Sequence, residues 1–112
     1  MKKIIYPLTM VFTLFMTITC SSDSDDNLIP VDITYTNTVK DIIDNNCLNC
    51  HSSPPVNDAP MALISYENVK IAVQNLGLIG QVESGAMPQN ASKLSEANIK
   101  GIKDWQIGGF KE

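Results

Sequence analysis

The segment that most limits what this chain can become is Cys47-Leu48-Asn49-Cys50-His51, a CxxCH pentapeptide. Two cysteines at this spacing can each form a thioether to one vinyl group of a haem. The histidine that follows is then carried beneath the porphyrin as an iron ligand. A domain organised this way folds around a cofactor it cannot lose. Other readings of a CxxC pair run short of residues. A structural zinc site takes four ligands, yet the chain holds one histidine and three cysteines in all, the third being Cys20. A thioredoxin-like pair expects a βαβ setting and a motif that opens a helix. Here the motif closes a helical segment with no strand pattern beside it. A disulfide between Cys47 and Cys50 would close a very small loop and stabilise little.

The N-terminus predicts where this chemistry takes place. Lys2-Lys3 is a short basic start, Ile4 to Thr19 is uncharged and apolar, and Cys20 follows. This is the layout of a secretory signal, too short and wrongly flanked for a spanning helix. Thr17-Ile18-Thr19-Cys20 resembles a bacterial lipoprotein cleavage box, in which the cysteine becomes the lipidated first residue; an uncleaved signal anchor is the alternative. Residues 1–19 are therefore read as a signal peptide. Residues 20–32 follow as a flexible acidic tether, because Ser21-Ser22-Asp23-Ser24-Asp25-Asp26-Asn27 has nothing apolar to pack. That stretch resembles the surface-export signal of Bacteroidetes lipoproteins and reads equally as an ordinary spacer. Its mean reach is roughly 15–20 Å, which keeps the domain, residues 33–112, close to its membrane. Cys20→Ser should move the chain out of the detergent phase or leave a soluble precursor, with the haem spectrum unchanged. Unaltered membrane partitioning would favour the uncleaved anchor.

Without Lys2 and Lys3, the exported chain carries six lysines, twelve acids and no arginine, a formal charge of −6. Its acidic balance, with no arginine to neutralise phosphates, argues against nucleic acid as a partner. Haem propionates likewise meet no arginine and are left to lysine, backbone, tryptophan or solvent. Four of the lysines fall between Lys93 and Lys111. They read as solvated helix surface, with a docking face as the alternative.

Three helices are predicted. In Thr36 to Asn46, Val39, Ile42 and Ile43 share a face and Thr36 is placed as the N-cap. In Ser65 to Leu76, Val69, Val73 and Leu76 form the stripe, Ser65 caps, and Gly77 ends the helix. In Ser95 to Ile107, Ser95 caps and Leu94 staples to Ile99. The stripe there is Ile99, Ile102 and Trp105, and Gly108-Gly109 stops the helix. Pro54-Pro55 and Pro60 keep the first connection irregular. No stretch alternates as a strand would, so the domain is expected to be all-α. Its core of about ten aliphatic side chains is thin enough to need a haem at its centre.

The iron needs a sixth ligand, and His51, the single histidine, cannot be paired with another. Met87 stands in Gly85-Ala86-Met87-Pro88. Glycine and alanine let the backbone approach a haem face, and Pro88 stiffens the loop behind the sulfur. A thioether is a neutral, soft donor that favours ferrous iron, so His/Met ligation raises the potential. Met61 is the rival sulfur. It follows His51 closely through three prolines and opens the apolar run Met61-Ala62-Leu63-Ile64, where a packing role is expected.

The order of helix, CxxCH, middle helix, Met-Pro loop and tryptophan-bearing last helix resembles a small class I cytochrome c domain over residues 33–112. The pattern is similar to that of Bacteroidetes cytochrome c lipoproteins. It is echoed in Ile42-Ile43-Asp44-Asn45-Asn46-Cys47, Ala59-Pro60-Met61, Ser65-Tyr66-Glu67-Asn68-Val69, Gly85-Ala86-Met87-Pro88 and Ile99 to Phe110. The resemblance implies one covalent haem c on Cys47 and Cys50, with iron held by His51 and Met87. The function expected is non-enzymatic one-electron transfer with redox partner proteins, from a lipid anchor on the periplasmic face or cell surface. The alternative is a haem-based sensor lipoprotein whose Met87 yields to a small ligand. A peroxidase is disfavoured, because there is no second CxxCH and no second histidine for distal acid–base work.

Overall fold

A computed structural model describes residues 32–112, and four helices and no strands are found among them. The signal peptide, Cys20 and most of the acidic tether lie outside the described residues. Among those described, no helix is long and apolar enough to cross a membrane.

The first helix starts earlier than its hydrophobic stripe suggests. Thr34, not Thr36, is the N-cap: its Oγ1 accepts from Asn37 N at 3.1 Å, while Asn37 Oδ1 accepts from Thr34 N at 2.9 Å. This reciprocal capping box satisfies two orphan donors at once, which a lone Thr36 could not do. A wide π-helical turn, Tyr35–Val39, then leads into α1, Lys40–Asn46. Val39, Ile42 and Ile43 are buried, as their spacing predicts.

Helix α2, Tyr66–Asn75, is capped by Ser65, whose hydroxyl accepts from Asn68 N at 3.2 Å. It ends at Leu76, and Gly77 turns the chain at φ +70°, a conformation glycine adopts without steric cost. The chain then enters a helix beyond the three expected from sequence, α3, Leu78–Ser84. This short helix buries only Leu78 and Val82, lacks a side-chain cap and contains Gly80. A two-residue stripe carries too little periodicity to be read from sequence.

Helix α4, Glu96–Ile107, is capped by Ser95 and buries Ile99, Ile102 and Trp105 as expected. Gly109, at φ +87°, reverses the chain so that Phe110 N returns to Trp105 O at 2.9 Å. The last residues clasp the start of the domain. Lys111 O accepts from Trp105 Nε1 at 2.6 Å and from Tyr35 N at 2.7 Å, and Tyr66 Oη donates to Phe110 O at 2.7 Å. Trp105 is fully buried and meets Phe110 edge-on at 4.8 Å, with Tyr35 and Tyr66 each 5.9 Å away. Such aromatic pairs add about 0.5–1.5 kcal/mol each beyond area burial, so this end of the domain is held firmly without a cofactor.

Gly101 marks where α4 passes the N-terminal helical segment. A Cβ there would lie 3.2 Å from Thr38 Cγ2 and 3.3 Å from Ile42 Cδ1. Gly101→Val would drive methyls into both side chains, with a β-branched residue in a helix as a further cost. Overpacking of this kind costs about 1–3 kcal/mol, read as a lower urea midpoint with an unchanged slope.

Candidate functional site

The CxxCH motif is built from the end of α1. Cys47 is the helix C-cap, with its N–H on Ile43 O at 2.8 Å, and its own carbonyl accepts from Cys50 N at 3.2 Å and His51 N at 2.9 Å. One carbonyl thus gathers both later members of the motif into a single further turn. Val56 N then bonds Cys50 O at 2.9 Å, and Leu63 N bonds His51 O at 2.8 Å. The proline-rich segment is folded back along the motif by these two bonds.

Between them lies a tight turn. Ala59 N returns to Val56 O at 3.1 Å, with Asn57 and Asp58 both left-handed at φ +52° and +60°. Asn and Asp tolerate this region because their short polar side chains bond locally. From the turn, Asn57 Nδ2 donates to Cys50 Sγ at 3.5 Å.

His51 is the buried polar side chain of the described core, 9 % exposed, and its Nδ1 lies 2.8 Å from Met61 O. A carbonyl can only accept, so Nδ1 carries the proton and Nε2 is left with its lone pair. A backbone partner on one ring nitrogen is what fixes the tautomer and orientation of a metal-binding histidine. Met61 therefore meets His51 through its carbonyl. The side chain of Met61 is half-buried against the core.

Met87 is placed by α3, the helix missed from sequence. Gly85 turns the chain at φ +78°, and Met87 N then bonds Gln81 O at 3.1 Å. Gln81 O also accepts from Ser84 Oγ, and Ser84 Oγ accepts from Ala86 N, so the loop is tied back onto its own helix.

Cys47, Cys50, His51, Met61 and Met87 all line one cavity of about 500 Å³. Its walls include the buried Leu63, Ala72, Leu78 and Val82. Leu76, expected in the α2 stripe, is instead 48 % exposed and forms part of this wall. The volume falls within the range of about 300–1,000 Å³ typical of sites for small molecules and cofactors.

The donors facing the cavity suit a c-type haem. Cys47 and Cys50 are free thiols, and burial pushes the Cys47 thiol up to about 11. That is the opposite of the depressed thiol that redox-active CxxC motifs use. Among the described residues no three His, Cys, Asp or Glu side chains converge to hold a bare metal ion. An imidazole nitrogen and a thioether sulfur are the soft, neutral donors that haem iron accepts, and the aliphatic walls suit a porphyrin face. Among the described residues no lysine lines the cavity; its polar lining is mainly the amides of Asn46, Asn49, Asn57, Gln81 and Gln89.

The four residues expected from sequence line one cavity, and three of the groups that hold them carry no sequence signal of that role: the Met61 carbonyl, the Asn57 amide and the Gln81 carbonyl. A backbone acceptor leaves no mark in residue identity. Asn57-Asp58 did carry a signal, since a pair of left-handed-tolerant residues marks a turn. Comparison with known protein families, curated proteins and solved structures finds no match for this chain.

Proposed function

We propose that the protein is a monohaem c-type cytochrome that transfers single electrons from a lipid anchor on an exported membrane face. The observation that carries this reading is convergence. Two thiols, an imidazole with its tautomer fixed and a thioether line one apolar cavity, though Met87 lies 36 positions beyond His51. Cys47 and Cys50 would hold the haem as thioethers and His51 Nε2 would bind iron. Haem supplies the one-electron ferric–ferrous couple. The chain's own part is to restrict geometry. Met61 O holds the imidazole plane, Gln81 O holds the Met87 loop, and the aliphatic walls would lie against the porphyrin. A ligand pair held in this way would keep structural change on electron transfer small.

Met61 supports Met87 as the sixth ligand. Its carbonyl is committed to the His51 ring at 2.8 Å, which ties this backbone to the histidine, so Met61 would orient the imidazole and Met87 would supply the thioether to iron. The lipid anchor rests on the sequence at Cys20 alone.

Protein produced with a haem-attachment system should give the pyridine haemochrome of a c-type haem and a ferric spectrum with a sulfur-to-iron charge-transfer band. A high-spin ferric spectrum would instead favour the small-ligand sensor. Haem extractable into acid acetone would overturn the assignment altogether.

A further inference from the structure

We propose that the mouth of the cavity is a cation-seeking docking face, and that the redox partner presents a basic surface to it. The proposal rests on the electron-transfer reading above and names the partner's chemistry.

The placement of charge carries it. Of the lysines in the described residues, Lys40, Lys93, Lys100, Lys103 and Lys111 each hold their ammonium on a carboxylate, of Asp44, Glu96, Asp104, Glu83 and Asp32 respectively. The remaining one, Lys70, lies over the rings of Tyr66 and Phe110, at 5.4 and 5.9 Å, within the aromatic clasp. None of them lines the cavity. Lys93 runs its stem past Gly85, beside the Met87 loop, yet its ammonium is spent on Glu96. Among the described residues, therefore, a partner finds no unpaired lysine lining the mouth.

The uncompensated charge is acidic. Asp41, Asp58, Glu67 and Glu112 have no ion-pair partner among the described residues. Asp58 alone of these lines the cavity, exposed on the left-handed turn at its rim. Around it the rim is neutral or apolar: Asn49, Gln81 and Gln89 with exposed Pro60 and Leu76. Within a screening length of about 8–10 Å, paired lysines cancel and Asp58 sets the sign. A basic partner is drawn to such a mouth and seated by its apolar rim, while a second copy of this chain is repelled by like charge.

The test is stopped-flow oxidation of the ferrous holoprotein at low and high ionic strength. The two reagents are tris(phenanthroline)cobalt(III), a cation, and hexacyanoferrate(III), an anion. Rising salt should slow the cobalt reaction and speed the hexacyanoferrate reaction. At low salt, Asp58→Lys should slow the cobalt reaction about three- to tenfold, and Asp58→Asn, which keeps a side chain suited to the turn, should move it part of the way. Glu67→Lys makes the same charge change nine positions before Leu76 along α2, about 13 Å at 1.5 Å per residue, and should change the rate less than twofold. A cobalt rate that is flat or rises with salt, or an equal response to Glu67→Lys, overturns the docking proposal and leaves the cytochrome reading intact. A preparation lacking the covalent haem spectrum removes both.

Discussion

Cys47→Ser/Cys50→Ser should strip the protein of gel-stable haem and unfold most of the domain. Denaturing electrophoresis followed by haem staining should show a band for the unmutated chain and none for the double variant, and acid acetone should extract any haem the variant retains. Each single variant keeps one thioether and so keeps a stained band, which separates loss of attachment from loss of expression. The structural consequence follows from the cavity. An unrelaxed void of about 500 Å³ would cost about 12 kcal/mol at ~24 cal/mol per Å³. That matches the whole stability of a domain this size, roughly 4–12 kcal/mol at 0.05–0.15 kcal/mol per residue. Water entering the open side lowers the figure, but Leu63, Ala72, Leu78 and Val82 then face solvent and lose their burial energy. The expected result is a melting midpoint below that of the holoprotein by tens of degrees, or no cooperative transition, with far-UV helicity surviving best in the clasp of Tyr35, Tyr66, Trp105 and Phe110. Haem extractable from the unmutated protein would sink the assignment.

The all-α class and three helices were legible from their stripes, two of them with a stop: Ile99, Ile102 and Trp105 ahead of Gly108-Gly109, Val69 and Val73 ahead of Gly77. The first helix starts earlier than expected because Thr34, not Thr36, is the N-cap, in a capping box completed by Asn37. Helix α3 escaped notice because seven residues with one glycine and two buried positions show no period above chance. In the cavity, Cys47, Cys50, His51 and Met87 were expected together from residue type and spacing, and they do line one set of walls. The bonds that orient them could not be expected, because two of the three acceptors or donors involved are carbonyls common to every residue. Leu76 shows the same limit from the other side. Its place in the α2 stripe predicts burial in protein, yet it is half-exposed at a cavity wall, a distinction periodicity cannot draw.

Met87→Ala should convert a low-spin ferric spectrum to high-spin, abolish the sulfur-to-iron charge-transfer band, and open the iron to added cyanide or imidazole. Loss of the soft donor also removes its preference for ferrous iron, so the reduction potential should fall. The effect should be local, because Met87 is half-buried and its loop is held by backbone through Gln81 O, with Gly85 supplying the turn. The deciding comparison is Met61→Ala. Its sulfur is as soft as that of Met87 and it lines the same cavity, so residue chemistry cannot choose between them. Backbone geometry can. Met61 O lies 2.8 Å from His51 Nδ1, and alanine keeps that carbonyl, so Met61→Ala should retain the low-spin spectrum and charge-transfer band. It should lose packing worth about 1–2 kcal/mol, less than the 2–5 kcal/mol of a fully buried methionine. If Met61→Ala gave the high-spin protein and Met87→Ala did not, the two methionines would exchange roles, and the His51–Met61 hydrogen bond could not survive in the loaded protein.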